Sequence, residues 1–277
     1  MRIHFAACRS HIGTDDPHHP DDGEAPRRSQ RLKGFWLETF PVTNARFAAF
    51  VAATAYVTDA ERFGWAPAFA QARDAPGRPA AFRWRATQEA CWNAPEGPGS
   101  DLADRMDHPV VQVSLADARA FSTWVGGRLP TEAEWEHAAR GGKADPRFPW
   151  GCAEPSDDNV LCNIWQGRFP QENTLQDGWL STNPESAFPP NGAGLHDMAG
   201  NVWEWSADPF RVRSVAAAAR RRNAAALAAA EHVLKGGSFL CHRAYCYRYR
   251  IAARMGLAPG SCANNVGFRV AYDEGRG

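Results

Sequence analysis

The stretch Leu129-Pro130-Thr131-Glu132-Ala133-Glu134 begins a helix around which the predicted fold is arranged. Thr131 and Glu134 have the spacing of a capping box, in which each side chain accepts a hydrogen bond from the backbone N–H of the other residue. The pair Gly141-Gly142 then ends the helix, because glycine readily adopts the left-handed conformation of a helix terminus. The middle of the chain therefore contains a helix with defined ends.

Further helices and strands are predicted on both sides of this stretch. Upstream, Ser114 and Asp117 begin a second helix that stops at Gly126-Gly127, and Thr43 or Asn44 caps a third. Alternation of apolar and polar residues predicts strands at 32–38, 233–239, 245–250 and 267–272. Together these elements predict the α+β class.

The glycine, proline and tryptophan content indicates a fold of short elements joined by ordered loops. Its 277 residues include 24 glycines and 20 prolines, which divide it into short elements, and 11 tryptophans, which bury large areas and hold loops in place. We predict one loop-rich domain over residues 1–277, with a long ordered loop at 66–108. The Ala/Arg-rich segment at 211–231 is predicted to be a partly helical surface insertion.

Charge and cysteine content argue against several classes of protein. Lys plus Arg and Asp plus Glu both total 31, and this balance argues against a nucleic acid or an anionic membrane as the main partner. No run approaches the roughly 18 apolar residues of a membrane span, and the apolar run at the N-terminus is too short for a signal peptide. The seven cysteines form no regular framework, so we expect a cytoplasmic protein with free thiols.

Two of the cysteines, Cys241 and Cys246, are candidates for a metal site. Their separation points the side chains to opposite faces of a strand, or about 140° apart on a helix, so the backbone must bend if they are to meet. Structural zinc needs four ligands, whereas a site of few soft thiolates favours Cu(I). On spacing alone, two unrelated buried cysteines are favoured over a metal site. The preceding Gly236-Gly237 indicates a close approach of the backbone nearby.

The residues around the two cysteines resemble the active-site segment of the formylglycine-generating enzymes, also called sulfatase-modifying factors. Four segments carry the resemblance: Arg-Leu-Pro-Thr-Glu-Ala-Glu-Trp-Glu at 128–136, Gly-Asn-Val-Trp-Glu-Trp at 200–205, Gly-Gly-Ser-Phe-Leu-Cys-His-Arg-Ala-Tyr-Cys at 236–246 and Asn-Asn-Val-Gly-Phe-Arg at 264–269. The first two also mark non-oxidase members of the wider fold superfamily, and only the two-cysteine segment indicates the oxidase. The resemblance covers about 13–272 and implies a single domain of the formylglycine-generating-enzyme and C-type-lectin-like type, with low regular secondary structure.

The resemblance implies a copper-dependent oxidase. It would convert the cysteine of a Cys-x-Pro-x-Arg motif in an unfolded, sulfatase-type client protein to Cα-formylglycine, with O2 as the acceptor. Cys241 and Cys246 would bind Cu(I), and the client cysteine would join them as a third thiolate, which makes the oxidation effectively intramolecular. We expect a monomer with no organic cofactor.

Further site residues are implied by the same resemblance. Ser238 matches a serine that helps to hold oxygen or the substrate, and Arg254, Asn265 and Tyr245 match residues at the client peptide. The alternatives are a turn role for Ser238, a surface ion pair for Arg254 and packing for Tyr245; the matching flanking residues favour the site role for Ser238 and Arg254. Two structural Ca²⁺ sites are also implied, one from Asn163, Asp177 and the carbonyls of Ile164 and Trp179, the other from Asp197, Glu204 and the carbonyls of Gly200 and Val202.

The sequence departs from the family pattern at Cys262, where a serine is usual. This third thiol would compete for copper, tune it, or act as a small buried residue. Ile251 and His137 stand where secreted members carry disulfide cysteines, which agrees with a cytoplasmic chain. The adjacent His18 and His19 lie in a Pro/Asp-rich loop and are more typical of a solvated turn than of a metal site.

Three other functions remain open. A non-catalytic, calcium-stabilised C-type-lectin-like binding module would need neither Cys241 nor Cys246, and it is the main alternative. A thiol–disulfide oxidoreductase would use both cysteines without metal or oxygen. The iron-dependent sulfoxide synthases of thiol-histidine biosynthesis share the fold, but they need a His-x-x-x-His-x-Glu motif that these 277 residues lack.

Overall fold

Frequent turns divide the chain into short elements, which the computed structural model describes over residues 1–72, 81–214 and 216–275. The α-helices span Asn44–Thr54 (α1), Asp59–Phe63 (α2), Leu115–Trp124 (α3), Glu132–Ala139 (α4) and Ala217–Ala228 (α5), and Pro20–Asp22 forms a short 3-10 turn. The strands span Arg2–Phe5 (β1), Cys8–Ile12 (β2), Arg28–Leu32 (β3), Phe35–Glu38 (β4), Trp65–Ala72 (β5), Ala81–Gln88 (β6), Gly167–Arg168 (β7), Glu172–Asn173 (β8), Trp203–Pro209 (β9), His232–Lys235 (β10), Met255–Leu257 (β11), Val266–Gly267 (β12) and Ala271–Asp273 (β13). This mixture of short helices and small sheets confirms the predicted α+β class.

Capping boxes confirm the two helices predicted in the middle of the chain. In α4, the Thr131 N–H donates to Glu134 Oε2 at 2.8 Å, and the Glu134 N–H donates to Thr131 Oγ1 at 3.2 Å. Ser114 and Asp117 make the same reciprocal pair at the start of α3. Both pairs lie within four residues of sequence, so local chemistry alone defines these helix ends.

Helix α1 lies where it was predicted, but its N-terminus is satisfied differently. Thr43 makes no side-chain cap. Instead, the N–H groups of Asn44 and Ala45 donate to the carbonyls of His108 and Met106, at 2.9 and 2.8 Å. A turn more than sixty residues downstream therefore supplies the cap.

The four-stranded sheet, in the order β11-β10-β9-β12, brings three separate segments to one edge. Strand β10 runs antiparallel to β9, and β12 runs parallel to β9. Because of these directions, the end of β10 lies beside the starts of β9 and β12. Trp203 begins β9, Asn265 directly precedes β12, and Ser238 follows β10, so all three reach the same edge of the sheet.

The segment predicted as a long loop at 66–108 instead contains a hairpin. Strands β5 and β6 pair in antiparallel register from Trp65 with Gln88 to Ala72 with Ala81, and residues 73–80 lie outside the described residues. Asn264 anchors the hairpin through paired hydrogen bonds with the N–H and carbonyl of Phe69, at 2.9 and 3.0 Å. Strand β6 does alternate apolar and polar residues at Phe82-Arg83-Trp84-Arg85-Ala86-Thr87, and this strand signal was overlooked beside the alanines and proline of β5.

The predicted strands are partly confirmed. Strands β4, β10, β12 and β13 occupy parts of 32–38, 233–239 and 267–272, whereas 245–250 is not a strand. Tyr247 adopts a left-handed φ of 46°, which is incompatible with an extended run. The predicted strand at 245–250 is therefore wrong, and a turn replaces it.

The Ala/Arg-rich segment forms α5, as part of the insertion predicted at 211–231. Ala219 and Ala226 are buried in a small cluster with Phe210, Val212 and Val233. The rest of α5 is exposed or half-buried. The helix therefore packs along a narrow alanine face, and none of the helices among the described residues is long and apolar enough to cross a membrane.

A buried ion pair joins the central sheet to the rest of the molecule. Glu204 on β9 and Arg269 are both fully buried, and the guanidinium donates to both carboxylate oxygens at 2.7 Å. Trp135 of α4 donates to Glu204 as well, at 2.8 Å. Arg269 further donates to the carbonyls of Glu38 and His196, at 3.2 and 2.9 Å. The pair thus links β9, α4, the end of β4 and the loop before β9.

Replacement of Arg269 by methionine is expected to cost about 3–5 kcal/mol in the free energy of unfolding, because the Glu204 carboxylate would stay buried without a compensating positive charge. Urea unfolding monitored by tryptophan fluorescence measures this change. The exposed pair Arg168–Glu172, at 3.4 Å, provides the control, and R168A should change stability by less than about 1 kcal/mol. Equal effects of R269M and R168A would contradict the structural role of the buried pair.

Candidate active site

The glycine pair after β10 directs the chain into the site. Gly236 and Gly237 have positive φ angles of 92° and 74°. A Cβ on Gly237 would lie 3.0 Å from the backbone of Tyr249, so only glycine permits this crossing without a shift. The close backbone approach predicted from the glycine pair is confirmed.

The backbone then bends and brings the two thiols together. The N–H groups of Tyr245 and Cys246 both donate to the carbonyl of His242, at 2.9 Å. This turn places the buried side chains of Cys241 and Cys246 within hydrogen-bonding contact of each other. The bend that the spacing required is therefore present, and the two cysteines form one site.

The two sulfurs have opposite electrostatic environments. Burial raises the pKa of Cys241, and its hydrogen bond to Cys246 raises it further. The pKa of Cys246 is lowered, first by the hydrogen bond from the Cys241 thiol and then, against the effect of burial, by the N–H and guanidinium of Arg248. Cys246 is therefore the first of the two to become a thiolate, and the Cys241 thiol is the hydrogen-bond donor that stabilises it.

A cavity of about 470 Å³ opens beside the two sulfurs. It brings together the predicted residues Cys241, Cys246, Ser238, Asn265 and Tyr245. Ser238 Oγ accepts a hydrogen bond from Asn265 Nδ2 at 2.9 Å, which fixes both side chains at the edge of the sheet. Tyr245 is largely exposed and stacks on Phe169 with ring centroids 4.2 Å apart.

Several lining residues were missed by sequence reasoning. Trp203 forms part of the cavity wall, and its position in the Gly-Asn-Val-Trp-Glu-Trp motif was the signal that could have identified it. Pro67 and Trp84 come from the β5–β6 hairpin, which the sequence did not predict. Arg248 also lines the cavity, although its alternating Tyr/Arg context indicated packing.

Arg254 lies away from the two cysteines. It is buried beside a second cavity of about 930 Å³, which shares no lining residue with the first. Its Nη2 donates to Glu132 Oε2 at 2.9 Å, and its Nη1 donates to the carbonyl of Arg211 at 3.0 Å. Arg254 is therefore outside the cysteine cavity with its guanidinium paired to Glu132, and its place at the client peptide stays a prediction.

Cys262 also lines the first cavity, but it packs in a different cluster from the cysteine pair. Its buried neighbours are Ala60, Ala66 and Ala90, with Cys91 packed against them. Burial raises the pKa of Cys262 to about 12. Among the described residues, no three His, Cys, Asp or Glu side chains converge as in a metal site, so Cys262 adds no third ligand to the pair.

Hydrogen bonds, two of them from Gln166, already engage most residues of the first predicted calcium site. Gln166 Nε2 donates to the carbonyl of Ile164 at 2.6 Å and to Asp177 Oδ2 at 3.0 Å, and the N–H of Trp179 donates to Asp177 Oδ1 at 2.9 Å. Asn163 Oδ1 is buried and accepts no hydrogen bond from the described residues. Asn163 Oδ1 is thus the one side-chain oxygen of this predicted site that remains available as a ligand for Ca²⁺.

The residues of the second predicted calcium site are only partly free. Asp197 Oδ2 is buried and accepts no hydrogen bond from the described residues, and burial raises the pKa of Asp197 to about 6. Both oxygens of Glu204 instead accept from Arg269 and Trp135. Gly200 and Val202 are buried on the loop between Asp197 and β9. Asn183 bridges the two predicted sites, donating to Asp197 Oδ1 and accepting from Asn163 Nδ2.

Comparison with known proteins identifies the family. The family model of the sulfatase-modifying factor enzyme 1-like domain matches residues 7–274. The chain belongs to this family. Similar sulfatase-modifying factor proteins include the formylglycine-generating enzyme of Thermomonospora curvata, which is 50% identical over 95% of this chain and 90% of its own length. The inactive C-alpha-formylglycine-generating enzyme 2 of Mus musculus is 39% identical over 99% of this chain and 86% of its own length.

Solved structures support the fold of this sulfatase-modifying factor family member. PvdO from Pseudomonas aeruginosa superposes with a TM-score of 0.65 over 99% of this chain and 94% of its own, at 22% identity. At that identity, the likeness concerns the fold alone. Because the family includes a relative named inactive, the geometry of Cys241 and Cys246 must decide the function.

The environments of the two sulfurs predict their order of reaction. In the metal-free protein at mildly alkaline pH, iodoacetamide should modify Cys246 before Cys241, because the pKa of Cys246 is lowered and that of Cys241 is raised. Peptide mapping by mass spectrometry measures both rates, with the exposed Cys152 as an internal reference. The variant C241A should slow the labelling of Cys246, since it removes the hydrogen bond that lowers this pKa. Earlier labelling of Cys241 would contradict the assignment.

Proposed function

We propose that this protein oxidises the cysteine of a Cys-x-Pro-x-Arg motif in a sulfatase-type client to Cα-formylglycine. O2 is the acceptor, and Cu(I) is held by Cys241 and Cys246. One observation carries the proposal: two buried, hydrogen-bonded thiols open onto a cavity large enough for several peptide residues. Relatives that are named formylglycine-generating enzymes support it.

The donor set of the cysteine pair suits Cu(I). Soft thiolates select Cu(I) over hard cations, and Cys246 readily loses its proton while Cys241 stands beside it as the second sulfur. When bound, the ion supplies a soft centre where a client thiolate and O2 meet. The N–H of Cys241 donates to the Ser238 carbonyl at 2.8 Å and the N–H of Cys246 donates to the His242 carbonyl at 2.9 Å, so the turn holds both cysteines in place before any ion binds.

The cavity walls would hold the client peptide in an extended form. Trp203, Trp84 and Phe169 line one continuous, largely apolar space with the two sulfurs. The exposed ring of Tyr245, stacked on Phe169, extends this surface outwards. Apolar walls exclude water from the reacting sulfur, and the Ser238–Asn265 pair offers polar atoms for the client backbone.

A non-catalytic binding module is the second candidate, and the inactive relative gives it weight. Such a module has no use for two thiols in contact inside a cavity. Buried cysteines that only fill space would not require the left-handed Tyr247 and the turn at His242 that bring Cys241 and Cys246 together. The geometry therefore favours the oxidase.

Loss of either thiol should abolish the reaction. The copper-loaded wild-type protein should consume O2 with a Cys-x-Pro-x-Arg peptide and convert its cysteine to an aldehyde, detected as a mass loss. C241A and C246A should give no aldehyde, because one sulfur cannot hold the ion in this geometry. The matched control is C152S, which removes an exposed cysteine outside the cavity and should retain full activity. Aldehyde formation by C241A or C246A would refute the proposal.

We propose in addition that Ca²⁺ binds at the polar cluster of Asn163, Asn183 and Asp197. Asn163 Oδ1 and Asp197 Oδ2 are buried oxygen atoms without hydrogen-bond donors among the described residues, and Ca²⁺ takes carboxylate and amide oxygens as ligands. A buried carboxylate oxygen without a partner is costly, so an ion there offsets that cost.

Calcium should therefore raise the thermal stability of the protein. Ca²⁺ at 100 times its dissociation constant should add about 2.7 kcal/mol to the free energy of unfolding, and differential scanning calorimetry should record a higher midpoint. D197N should lose most of this gain, whereas D104N, which changes an exposed carboxylate, should keep it. An unchanged midpoint of the wild type with and without Ca²⁺ would exclude the site.

A further inference from the structure

A charge imbalance is built into the cysteine pocket. Arg248 is the one charged side chain among the described residues that line it. Two thiolates and one Cu(I) carry a net charge of minus one, and a client thiolate would make it minus two. An anion in a largely apolar cavity is costly unless a cation or a set of hydrogen-bond donors lies beside it.

Arg248 meets this requirement with two groups, its backbone N–H and its guanidinium. It lines the pocket with both cysteines, and its backbone N–H acts to lower the pKa of both thiols. Its guanidinium donates through Nη1 to the carbonyl oxygen of Cys246 at 3.4 Å, and the positive charge lowers the pKa of the Cys246 thiol. One residue therefore lies in the same pocket as both sulfurs and brings a positive charge next to Cys246.

Asp22 holds the guanidinium in this position from the opposite side. The Nε and Nη2 atoms of Arg248 each lie 2.7 Å from Asp22 Oδ2, and the Asp22 carboxylate is largely buried. Asp22 ends the 3-10 turn Pro20–Asp22, which is fastened to the cysteine segment at a second point, where His19 Nε2 lies 2.8 Å from the Cys246 carbonyl. The guanidinium is thus fixed by a segment more than 220 residues away in sequence.

The neighbouring pair Glu24–Arg250 shows that this arrangement is specific. Arg250 is also held by a carboxylate of the N-terminal segment, at 2.6 Å, and is more deeply buried than Arg248. Its remaining donor, Nε, goes to the Tyr247 carbonyl at 2.9 Å. Arg250 does not line the pocket, whereas Arg248 does. The two pairs share a structural role, and of the two arginines only Arg248 brings its charge into the pocket of the two sulfurs.

We propose that Arg248, oriented by Asp22, is a positioning residue that compensates the negative charge of the two thiolates and thereby sets the affinity of the pair for Cu(I). The inference rests on the proposed copper function and extends it to a residue outside the ligand set. Groups that contact metal ligands in this way commonly change metal affinity by about 10- to 100-fold when removed.

Cu(I) affinity tests this role independently of turnover. The reduced protein is titrated with Cu(I) under anaerobic conditions, in competition with the chromophoric chelator bicinchoninate at neutral pH. R248M should weaken Cu(I) binding by about 10- to 100-fold, and R248K, which keeps the charge, should recover most of the loss. D22N should give an intermediate loss, because it frees the guanidinium without removing it.

The matched control is R243M, which removes an exposed cation of the same segment that does not line the pocket, and it should bind Cu(I) as the wild type does. Circular dichroism and the thermal midpoint establish that each variant is folded. If R248M does not fold, the Cu(I) affinity of D22N is the deciding measurement. Wild-type affinity in R248M, or in D22N where it replaces R248M, would overturn the inference. Equal losses in R248K and R248M would also overturn it, because charge would then not be the cause.

Failure of the proposed function has a different signature. If the wild type binds Cu(I) and the Arg248 series behaves as expected but no aldehyde forms, the oxidase assignment fails and the role of Arg248 stands. If aldehyde forms and R248M binds Cu(I) as tightly as the wild type, the oxidase stands and the role of Arg248 fails. A wild type that binds no Cu(I) would refute both.

Discussion

The buried ion pair between Glu204 and Arg269 is the interaction on which the rest of the structure depends. In a chain with short strands and few helical turns, little regular hydrogen bonding is available to connect the layers. This pair connects them through one carboxylate and one guanidinium, which reach α4 through Trp135 and the end of β4 through its carbonyl. Because both groups are fully buried, neither can be lost without leaving the charge of the other uncompensated.

The same pair positions the site, since Glu204 follows Trp203 on β9. The N–H of Trp203 donates to the carbonyl of Asn265 at 2.9 Å, and Asn265 in turn donates to Ser238. The edge of the sheet where β9 and β12 begin and β10 ends is therefore rigid, and the cysteine turn is built outwards from it. A pre-formed metal site needs support of this kind, because its ligand atoms must be held in position before the ion binds.

The cysteine turn shows how backbone conformation and electrostatics act together. The glycine crossing and the left-handed Tyr247 force two sulfurs into contact, although five positions of sequence would separate them on any regular element. This contact gives the two thiols different pKa values. The hydrogen bond stabilises the Cys246 thiolate, whereas burial keeps Cys241 protonated. A pair with one ready thiolate and one neighbouring thiol is suited to taking up a soft cation.

The sequence by itself determined the features that arise within a few residues of chain. The capping boxes of α3 and α4, the crossing at Gly236-Gly237 and the need for a bend between Cys241 and Cys246 were all predictable, because each depends on local conformational preference. Only the tertiary structure decided which distant groups meet: the β5–β6 hairpin against Asn264, Arg254 against Glu132, and Asp22 against Arg248. Long polar side chains find their partners across the whole molecule, and no local pattern encodes that choice.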